Sequence, residues 1–144
     1  MSHHDTTVRV RYAETDQMGV VYHSNHLIWF EIGRVELMRS MGISYKQMES
    51  EDGCYIFVAE AHCRYLAPAR YDEVLRIRSW IAEAGSRIIK FAYEIARAED
   101  GQLLASGFTK HVVCGKDGRP KALPAKYRSV LVASEAPAAK GKEA

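Results

Sequence analysis

The sequence predicts an α+β domain in which a long, curled antiparallel sheet wraps around one central helix. One observation is a helical pattern from Ser24 to Met41 that is apolar around most of its circumference, as is typical of an enclosed helix. The other is a series of long extended segments at residues 55–67, 73–84, 87–98 and 102–114. Their connections are short enough for hairpins and too short for crossover helices, which predicts an antiparallel meander. Strands of that length must twist and coil, so the sheet is expected to curl around the helix.

The helix prediction rests on the two ends of the segment. Ser24 and Asn25 are both acceptable N-caps, no proline interrupts the run that follows, and Gly42 stands where a left-handed C-cap is expected. Within the helix, Glu31 and Arg34 lie between two apolar flanks. We expect each to be partly buried, paired with the other or with a further partner, and to brace the helix rather than to act in catalysis.

Shorter elements complete the predicted domain. Alternating apolar and charged residues over 7–13 predict a first strand, residues 43–51 a short amphipathic segment, and residues 123–132 a short C-terminal helix. Residues 133–144 consist mainly of Ala, Lys, Glu, Gly and Pro, have little to bury and are predicted to be a disordered tail. Residues 1–132 are therefore predicted to form a single domain.

Composition excludes several classes of protein. With 144 residues and 47% hydrophobic content, the chain is long enough for one domain with a core and short for two. A formal net charge of +2 is too weak a bias to predict a nucleic-acid partner. Cys54, Cys63 and Cys114 form no CxxC pair, which favours a reduced, cytoplasmic protein over a disulfide framework. No signal-peptide pattern and no apolar run of about eighteen residues is visible, so no export and no membrane span are predicted.

The stretch from Thr15 to Asn25 is the most suggestive of chemistry. It places Asp16 on a predicted tight turn just before the start of the central helix. A helix start offers unpaired backbone N–H donors and a partial positive charge, so it is a natural place to stabilise an oxyanion. The alternative is that Asp16 only closes its own turn, a task that aspartate favours.

Strand, Asp-bearing turn, central helix and long sheet together resemble the hotdog fold. The segment TDQMGVVYHSNHLIWFE is similar to the active-site signature of the 4-hydroxybenzoyl-CoA thioesterase family, especially its acyl-CoA thioesterase branch that includes the Tol-Pal-associated enzymes. The resemblance covers roughly residues 7 to 131. The family usually has an aromatic residue after the asparagine, where this chain has His26, a departure that bears on the acyl pocket more than on the chemistry.

The resemblance implies hydrolysis of an acyl-CoA to the free acid and CoA, without a metal or redox cofactor. Asp16 matches the catalytic carboxylate, acting as nucleophile or as general base on water. The backbone N–H of His23 matches the donor that polarises the thioester carbonyl, and its side chain matches a histidine that belongs to the site in the Tol-Pal-associated branch. The other signature residues that we expect at the substrate are Gly19, Val20, Tyr22 and Asn25.

The resemblance also implies a nucleotide site and an assembly. CoA phosphates are expected against basic residues of the third and fourth long strands, and Arg87 and Lys90 are the predicted contacts. The family forms dimers through a continuous sheet, often paired into tetramers, with active sites between subunits. Because a sheet with long strands leaves an exposed edge that tends to be paired, a homodimer and a homotetramer are predicted.

Other functions stay open at this point. A hotdog hydratase or dehydratase would need a second acid/base residue opposite the carboxylate, and a non-catalytic acyl-binding or partner-binding module would use Asp16 only to hold the turn. No metal site is predicted, because the histidines and cysteines lack a recognised ligand spacing. The identity of the acyl group, CoA or acyl carrier protein as its donor, and the nucleophilic or general-base route are equally open.

Overall fold

The computed structural model describes residues 3–137, which form an antiparallel sheet of five strands around one long helix. This is the α+β architecture that the sequence predicts. A short 3-10 turn, Tyr12–Glu14, follows the first strand. The elements in chain order are β1 His4–Arg9, α1 Asn25–Ser40, α2 Tyr45–Ser50, β2 Tyr55–Tyr65, β3 Val74–Ala84, β4 Ile88–Arg97, β5 Leu103–Cys114 and α3 Ala125–Arg128.

The four long strands lie within about two residues of their predicted bounds, whereas β1 begins and ends earlier than predicted. The cause lies at residues 10–14. Val10 leaves β1 and is only 1% exposed in the core. The chain then tightens into the 3-10 turn, whose last residue, Glu14, is buried and accepts the Arg11 backbone N–H at 2.8 Å. Burial of these two side chains ends the strand before the predicted residue 13.

The strand order corrects the simple meander that the short connections predicted. The order is β1-β3-β4-β5-β2, so β2 pairs with β5 instead of forming a hairpin with β3. The connection between β2 and β3 does not close a turn. Leu66 and Ala67 donate their N–H groups to the Leu104 carbonyl, and the Ala69 carbonyl accepts the Val21 N–H at 2.8 Å. These hydrogen bonds hold the connection first against β5 and then against the loop that bears Asp16.

Helix α1 is enclosed on one side only. Its buried side chains are His26, Trp29, Phe30, Leu37 and Met38. Leu27 and Ile28 are 40% and 52% exposed, although both belong to the apolar flanks that predicted an enclosed helix. The C-terminal signal is confirmed, since Gly42 has φ +82° just beyond the helix. Ser24 occupies the N-cap position, one of the two that the sequence offered, but its side chain makes no cap hydrogen bond.

Of the two kinds of partner expected for Arg34, Glu31 or a further residue, the structure has the further residue. Glu31 is exposed, and among residues 3–137 no ion pair joins it to Arg34. The Arg34 guanidinium instead lies beside the phenols of Tyr45 and Tyr93, and burial raises the pKa of both phenols. Tertiary packing of α2 and β4 has supplied the partner that sequence spacing assigned to Glu31.

The C-terminal part of the chain contacts the segment before β2 and strand β3. Helix α3 is shorter than predicted, and its Tyr127 hydroxyl donates to the Asp52 carboxylate. Further on, the Ser134 N–H donates to the Ile81 carbonyl at 2.8 Å. Most of the predicted disordered tail, residues 138–144, lies outside the described residues. No helix between residues 3 and 137 is long and apolar enough to span a membrane.

Helix and sheet meet at two glycines that leave no room for a side chain. A Cβ on Gly33 of α1 would lie 2.3 Å from Ser79 Oγ and 2.8 Å from Ile77 Cγ2. A Cβ on Gly107 of β5 would lie 2.7 Å from the ring of Phe30. Contacts this short are repulsive, so the position of α1 over the sheet depends on both residues being glycine.

This contact predicts the effect of one added methyl group. Gly33→Ala is expected to lower the free energy of unfolding by about 1–3 kcal/mol, because the methyl overpacks a buried contact. Gly85→Ala is the matched control: its Cβ would meet only the Ile88 carbonyl oxygen at 3.7 Å, an ordinary contact. Urea denaturation of both variants is the measurement. Equal midpoints for Gly33→Ala and the parent protein would show that the helix has space to move.

Candidate active site

Asp16 lies on a tight loop between the 3-10 turn and α1. Thr15 and Val21 form an isolated antiparallel bridge, and inside it the Asp16 N–H donates to the Val20 carbonyl at 2.9 Å. The loop closes through Gly19, whose N–H donates to the Asp16 carbonyl at 3.0 Å and whose φ of +80° favours glycine. Asp16 therefore stands on a loop with its own backbone hydrogen bonds.

The Asp16 carboxylate uses one oxygen in the loop and keeps the other available. Oδ1 accepts the Met18 N–H at 2.9 Å, the turn-closing bond expected of an aspartate. Oδ2 has no hydrogen-bond partner among residues 3–137. The side chain is half-buried. One oxygen is thus fixed by the loop while the second can meet a substrate or a water.

The start of α1 is held against this loop. The Tyr22 N–H donates to the Glu14 carbonyl at 2.8 Å, and the Asn25 side-chain amide donates to the same carbonyl at 3.0 Å. By contrast, the backbone N–H groups of His23 and Ser24 have no partner among the described residues. Two free donors at a helix start form a site for negative charge.

Carboxylate and helix start border one cleft of about 410 Å³. Its walls come from the Asp16 loop, the first turn of α1 and the segment that follows β2. The lining residues are Asp16, Met18, Val20, Val21, Tyr22, His23, His26, Tyr65, Leu66, Ala67, Pro68 and Ala69. Most of these side chains are apolar, as is usual for a pocket that receives a small molecule.

The wall opposite Asp16 contains two aromatic residues that bind the same carbonyl. The Tyr65 hydroxyl donates to the His23 carbonyl at 2.9 Å, and His26 Nδ1 lies 3.0 Å from it. The two rings pack edge to face with centroids 4.8 Å apart. Burial raises the pKa of the Tyr65 hydroxyl to about 12. Desolvation lowers the pKa of His26, so both groups are neutral near pH 7.

The structure brings half of the predicted site residues to this cleft. The ones that line it are Asp16, Val20, Tyr22 and His23. Gly19 and Asn25 belong to its framework, since Gly19 turns the loop and the Asn25 amide donates to the Glu14 and Tyr22 carbonyls at 3.0 and 3.3 Å. The His23 ring is exposed and lies 6.1 Å from that of Tyr65, so its side chain is accessible at the cleft mouth.

The two predicted nucleotide contacts lie elsewhere. Lys90 borders a second groove of about 540 Å³ that shares no lining residue with the first. Its ammonium lies 4.3 Å from the Phe108 ring centroid and 3.8 Å from a Glu83 carboxylate oxygen. Arg87 is exposed in the hairpin before β4 and lines neither of these two cavities.

Sequence reasoning did not assign His26, Tyr65 or residues 66–69 to the site. His26 could have been predicted from its position in α1, since a residue in the first turn lies beside the free N–H groups. Tyr65 reaches the site only because the end of β2 packs against the helix start, a contact between residues about forty positions apart. The described residues contain no group of three or more His, Cys, Asp or Glu arranged to hold a metal.

The chain is similar to known proteins over most of its length. Residues 10–134 match the Thioesterase-like superfamily. The chain is 34% identical over 110 residues to the putative acyl-CoA thioesterase YneP of Bacillus subtilis, covering 76% of this chain and 78% of that protein. It is 32% identical over 117 residues to the acyl-CoA thioester hydrolase YbgC of Escherichia coli O157:H7, covering 81% and 87%.

A solved structure supports the same assignment. The hypothetical protein TT1821 of Thermus thermophilus superposes with a TM-score of 0.83 at 38% identity, covering 90% of this chain and 95% of that one. Sheet, central helix and Asp-bearing loop therefore form the hotdog fold that the sequence signature suggested. The chain belongs to the thioesterase-like superfamily of hotdog-fold proteins.

Proposed function

We propose that the protein hydrolyses an acyl-CoA thioester to the free carboxylic acid and CoA. One observation carries the proposal: a carboxylate with one available oxygen and a helix start where the backbone N–H of His23 is unpartnered border the same mostly apolar cleft. A thioester carbonyl has weak resonance stabilisation, so one positioned carboxylate and an oxyanion donor are sufficient chemistry. The names of the Bacillus and Escherichia relatives support the same substrate class.

In the proposed reaction the helix start binds the thioester oxygen. The His23 N–H donates to that oxygen and stabilises the negative charge that develops on it. On the general-base route, Asp16 takes a proton from water while the water oxygen adds to the carbonyl carbon. The C–S bond then breaks, and the protonated Asp16 gives its proton to the leaving CoA thiolate. On the nucleophilic route, Asp16 attacks the carbon itself, expels the thiolate, and water hydrolyses the resulting anhydride.

This reaction uses only groups of the chain, the substrate and water. No metal or redox cofactor takes part in it. The three cysteines are free thiols, which supports our placement of the protein in the cytoplasm.

Replacing Asp16 tests the mechanism directly. Asn has nearly the same shape and still accepts the Met18 N–H, but it neither attacks a thioester nor takes a proton from water. Asp16→Asn is expected to fold and to bind CoA esters while kcat falls by at least about a hundredfold. The measurement is thiol release from an acyl-CoA panel, with melting temperature determined on the same preparation.

Asp117→Asn is the matched control for this substitution. Asp117 Oδ1 accepts the Arg119 N–H at 3.0 Å, the same kind of turn contact, and it lies outside the cleft. It is expected to retain full turnover. If Asp16→Asn keeps more than about a tenth of the parent kcat, a barrier change under about 1.4 kcal/mol, Asp16 is a turn residue and the mechanism is wrong.

We propose further that Arg87 and Lys90 bind the phosphates of CoA. Arg87 immediately precedes β4 and Lys90 is its third residue, and Lys90 borders a groove that also contains Arg64, His62 and the Phe108 ring. This combination of cations and aromatic faces suits a phosphorylated nucleotide.

Steady-state kinetics test the two cations. Arg87→Ala and Lys90→Ala are each expected to raise KM for CoA esters with kcat nearly unchanged, because the phosphates bind alike in ground and transition states. The effect is expected to be smaller on an N-acetylcysteamine thioester, which lacks the nucleotide. Lys46→Ala removes an exposed cation of α2 as a control. Equal losses on both thioesters would remove these residues from the CoA site.

We also propose a homodimer joined along β2, with dimers pairing into a homotetramer. Among the described residues β2 pairs only with β5, so its outer edge is unpaired. Phe57 and Val58 on that strand are 47% and 52% exposed, and Tyr65 at its end lines the cleft. Unpaired edges with apolar side chains are normally covered in native proteins. A partner here would contribute to the cleft.

Sedimentation tests the assembly. The parent protein is expected to sediment as a dimer or tetramer, and Phe57→Glu to shift the population toward monomer by placing a charge in the proposed interface. Val132→Glu, at a 61% exposed apolar side chain away from β2, is expected to leave the assembly unchanged. A stable parent monomer with full activity would contradict the proposal.

A further inference from the structure

His26 is a nearly buried polar side chain in the wall of the Asp16 cleft. It is 4% exposed and lies in the first turn of α1. Its ring packs edge to face against Trp29, with centroids 5.3 Å apart, and against Tyr65. These contacts on two sides fix the orientation of the ring.

The hydrogen bond at Nδ1 determines which nitrogen carries the proton. Nδ1 lies 3.0 Å from the His23 carbonyl oxygen, which only accepts, so Nδ1 must be the donor. Desolvation is the largest cause of the lowered pKa of His26, and the ring is therefore neutral near pH 7. Nε2 then has a bare lone pair and acts only as an acceptor.

Nε2 has no hydrogen-bond partner among residues 3–137, and it is not sealed inside the protein. It is accessible at the cleft that His26 lines. The neighbouring wall is apolar, formed by Val21, Leu66 and residues 67–69. A ligand that displaced water from Nε2 without replacing its hydrogen bond would leave a desolvated acceptor unpaired, which costs about 1–3 kcal/mol.

We propose that His26 is a specificity-determining residue that selects acyl groups bearing a hydroxyl, whose O–H donates to Nε2. This inference rests on the proposed thioesterase function and names the class of acyl group. The apolar walls receive the carbon skeleton, and Nε2 supplies the polar contact. A plain acyl group of the same skeleton fits the space but leaves Nε2 unpaired, so the cleft discriminates against it.

Two variants separate the acceptor from the shape of the ring. His26→Phe keeps an aromatic ring against Trp29 and Tyr65 but removes the acceptor. His26→Gln retains a side-chain carbonyl that accepts a hydrogen bond. The probes are benzoyl-CoA with its three monohydroxy isomers and butanoyl-CoA with its hydroxy isomers, so that every hydroxyl position is sampled.

The ratio of kcat/KM for each hydroxylated ester to that for its plain parent is the readout. The parent protein is expected to favour at least one hydroxylated ester by about tenfold or more, equivalent to about 1.4 kcal/mol. His26→Phe is expected to reduce that ratio at least about tenfold, by losing activity on the hydroxylated ester and gaining it on the plain one. His26→Gln is expected to retain part of the preference. A merely structural role would lower both activities together and leave the ratio unchanged.

Several outcomes overturn the inference. One is a parent protein that prefers no hydroxylated ester by more than about threefold, a result that needs no variant and holds even if His26→Phe does not fold. Another is an unchanged ratio in His26→Phe, which would make His26 a framework residue or the holder of a water common to all substrates. Either result leaves the thioesterase activity itself intact.

Calorimetry keeps the two proposals separate. If the parent protein turns over no ester, the proposed function fails, yet titration with the same paired esters still reports the His26 contact. If it is active, the Asp16→Asn variant allows the same titration without turnover. Tighter binding of the hydroxylated ester that disappears in Asp16→Asn/His26→Phe supports the role of His26, and equal binding of both esters overturns it.

Discussion

The carbonyl of Glu14 is the acceptor on which the geometry of the site depends. It receives the Tyr22 N–H at 2.8 Å and the Asn25 amide at 3.0 Å, so one oxygen joins the Asp16 loop to the first turn of α1. The Glu14 side chain is anchored by the Arg11 backbone N–H at 2.8 Å. The loop and the helix start are also held by packing, since Val21 and His26 are both buried. Their relative position, and with it the distance from the carboxylate to the free N–H groups, is fixed by this shared bond.

The start of α1 lacks a side-chain cap. Ser24 is a residue type that commonly caps helices, yet its side chain makes no cap hydrogen bond. A capped end would be more stable by about 1 kcal/mol, but the N–H groups that such a cap would bind, those of His26 and Leu27, already donate to the His23 and Ser24 carbonyls at 3.3 and 3.2 Å. The helix is stabilised along its body instead. Gly33 allows α1 to approach the sheet at Ser79, and the buried face of α1 packs against the sheet. The fold therefore tolerates an uncapped end because the body of the helix is held tightly.

Local features of the sequence predicted most of the elements and the core of the site. The long strands follow from alternation and turn residues, and Asp16 and His23 belong to one continuous stretch, so both are visible without tertiary information. The strand order was not predictable in this way. The eight-residue connection between β2 and β3 is compatible with a hairpin. Its hydrogen bonds to Leu104 and Val21, which place β2 at the other edge of the sheet, are formed only in the tertiary structure. The further partner of Arg34 could not be named from sequence for the same reason, since the phenols beside it come from distant segments.

The two free N–H groups at the helix start belong to peptide units whose carbonyls are already hydrogen-bonded. The Tyr22 carbonyl, on the same peptide as the His23 N–H, accepts the Asn25 backbone and side-chain N–H groups at 3.0 and 3.3 Å. The His23 carbonyl, on the same peptide as the Ser24 N–H, accepts the Tyr65 hydroxyl at 2.9 Å and His26 Nδ1–H at 3.0 Å.

A hydrogen bond to a peptide carbonyl polarises the N–H at its other end, strengthening that donor by about 10–30% per bond, and it also fixes the plane of the peptide. Both donors are therefore oriented and polarised before a substrate arrives. This is the preorganisation that electrostatic stabilisation of an oxyanion requires. It explains why side chains that touch no reacting atom, Asn25 and Tyr65, lie so close to the proposed chemistry. The His23 carbonyl that orients the Ser24 N–H also holds the proton of His26 on Nδ1, so this free N–H and the proposed acceptor for the acyl group both depend on one carbonyl.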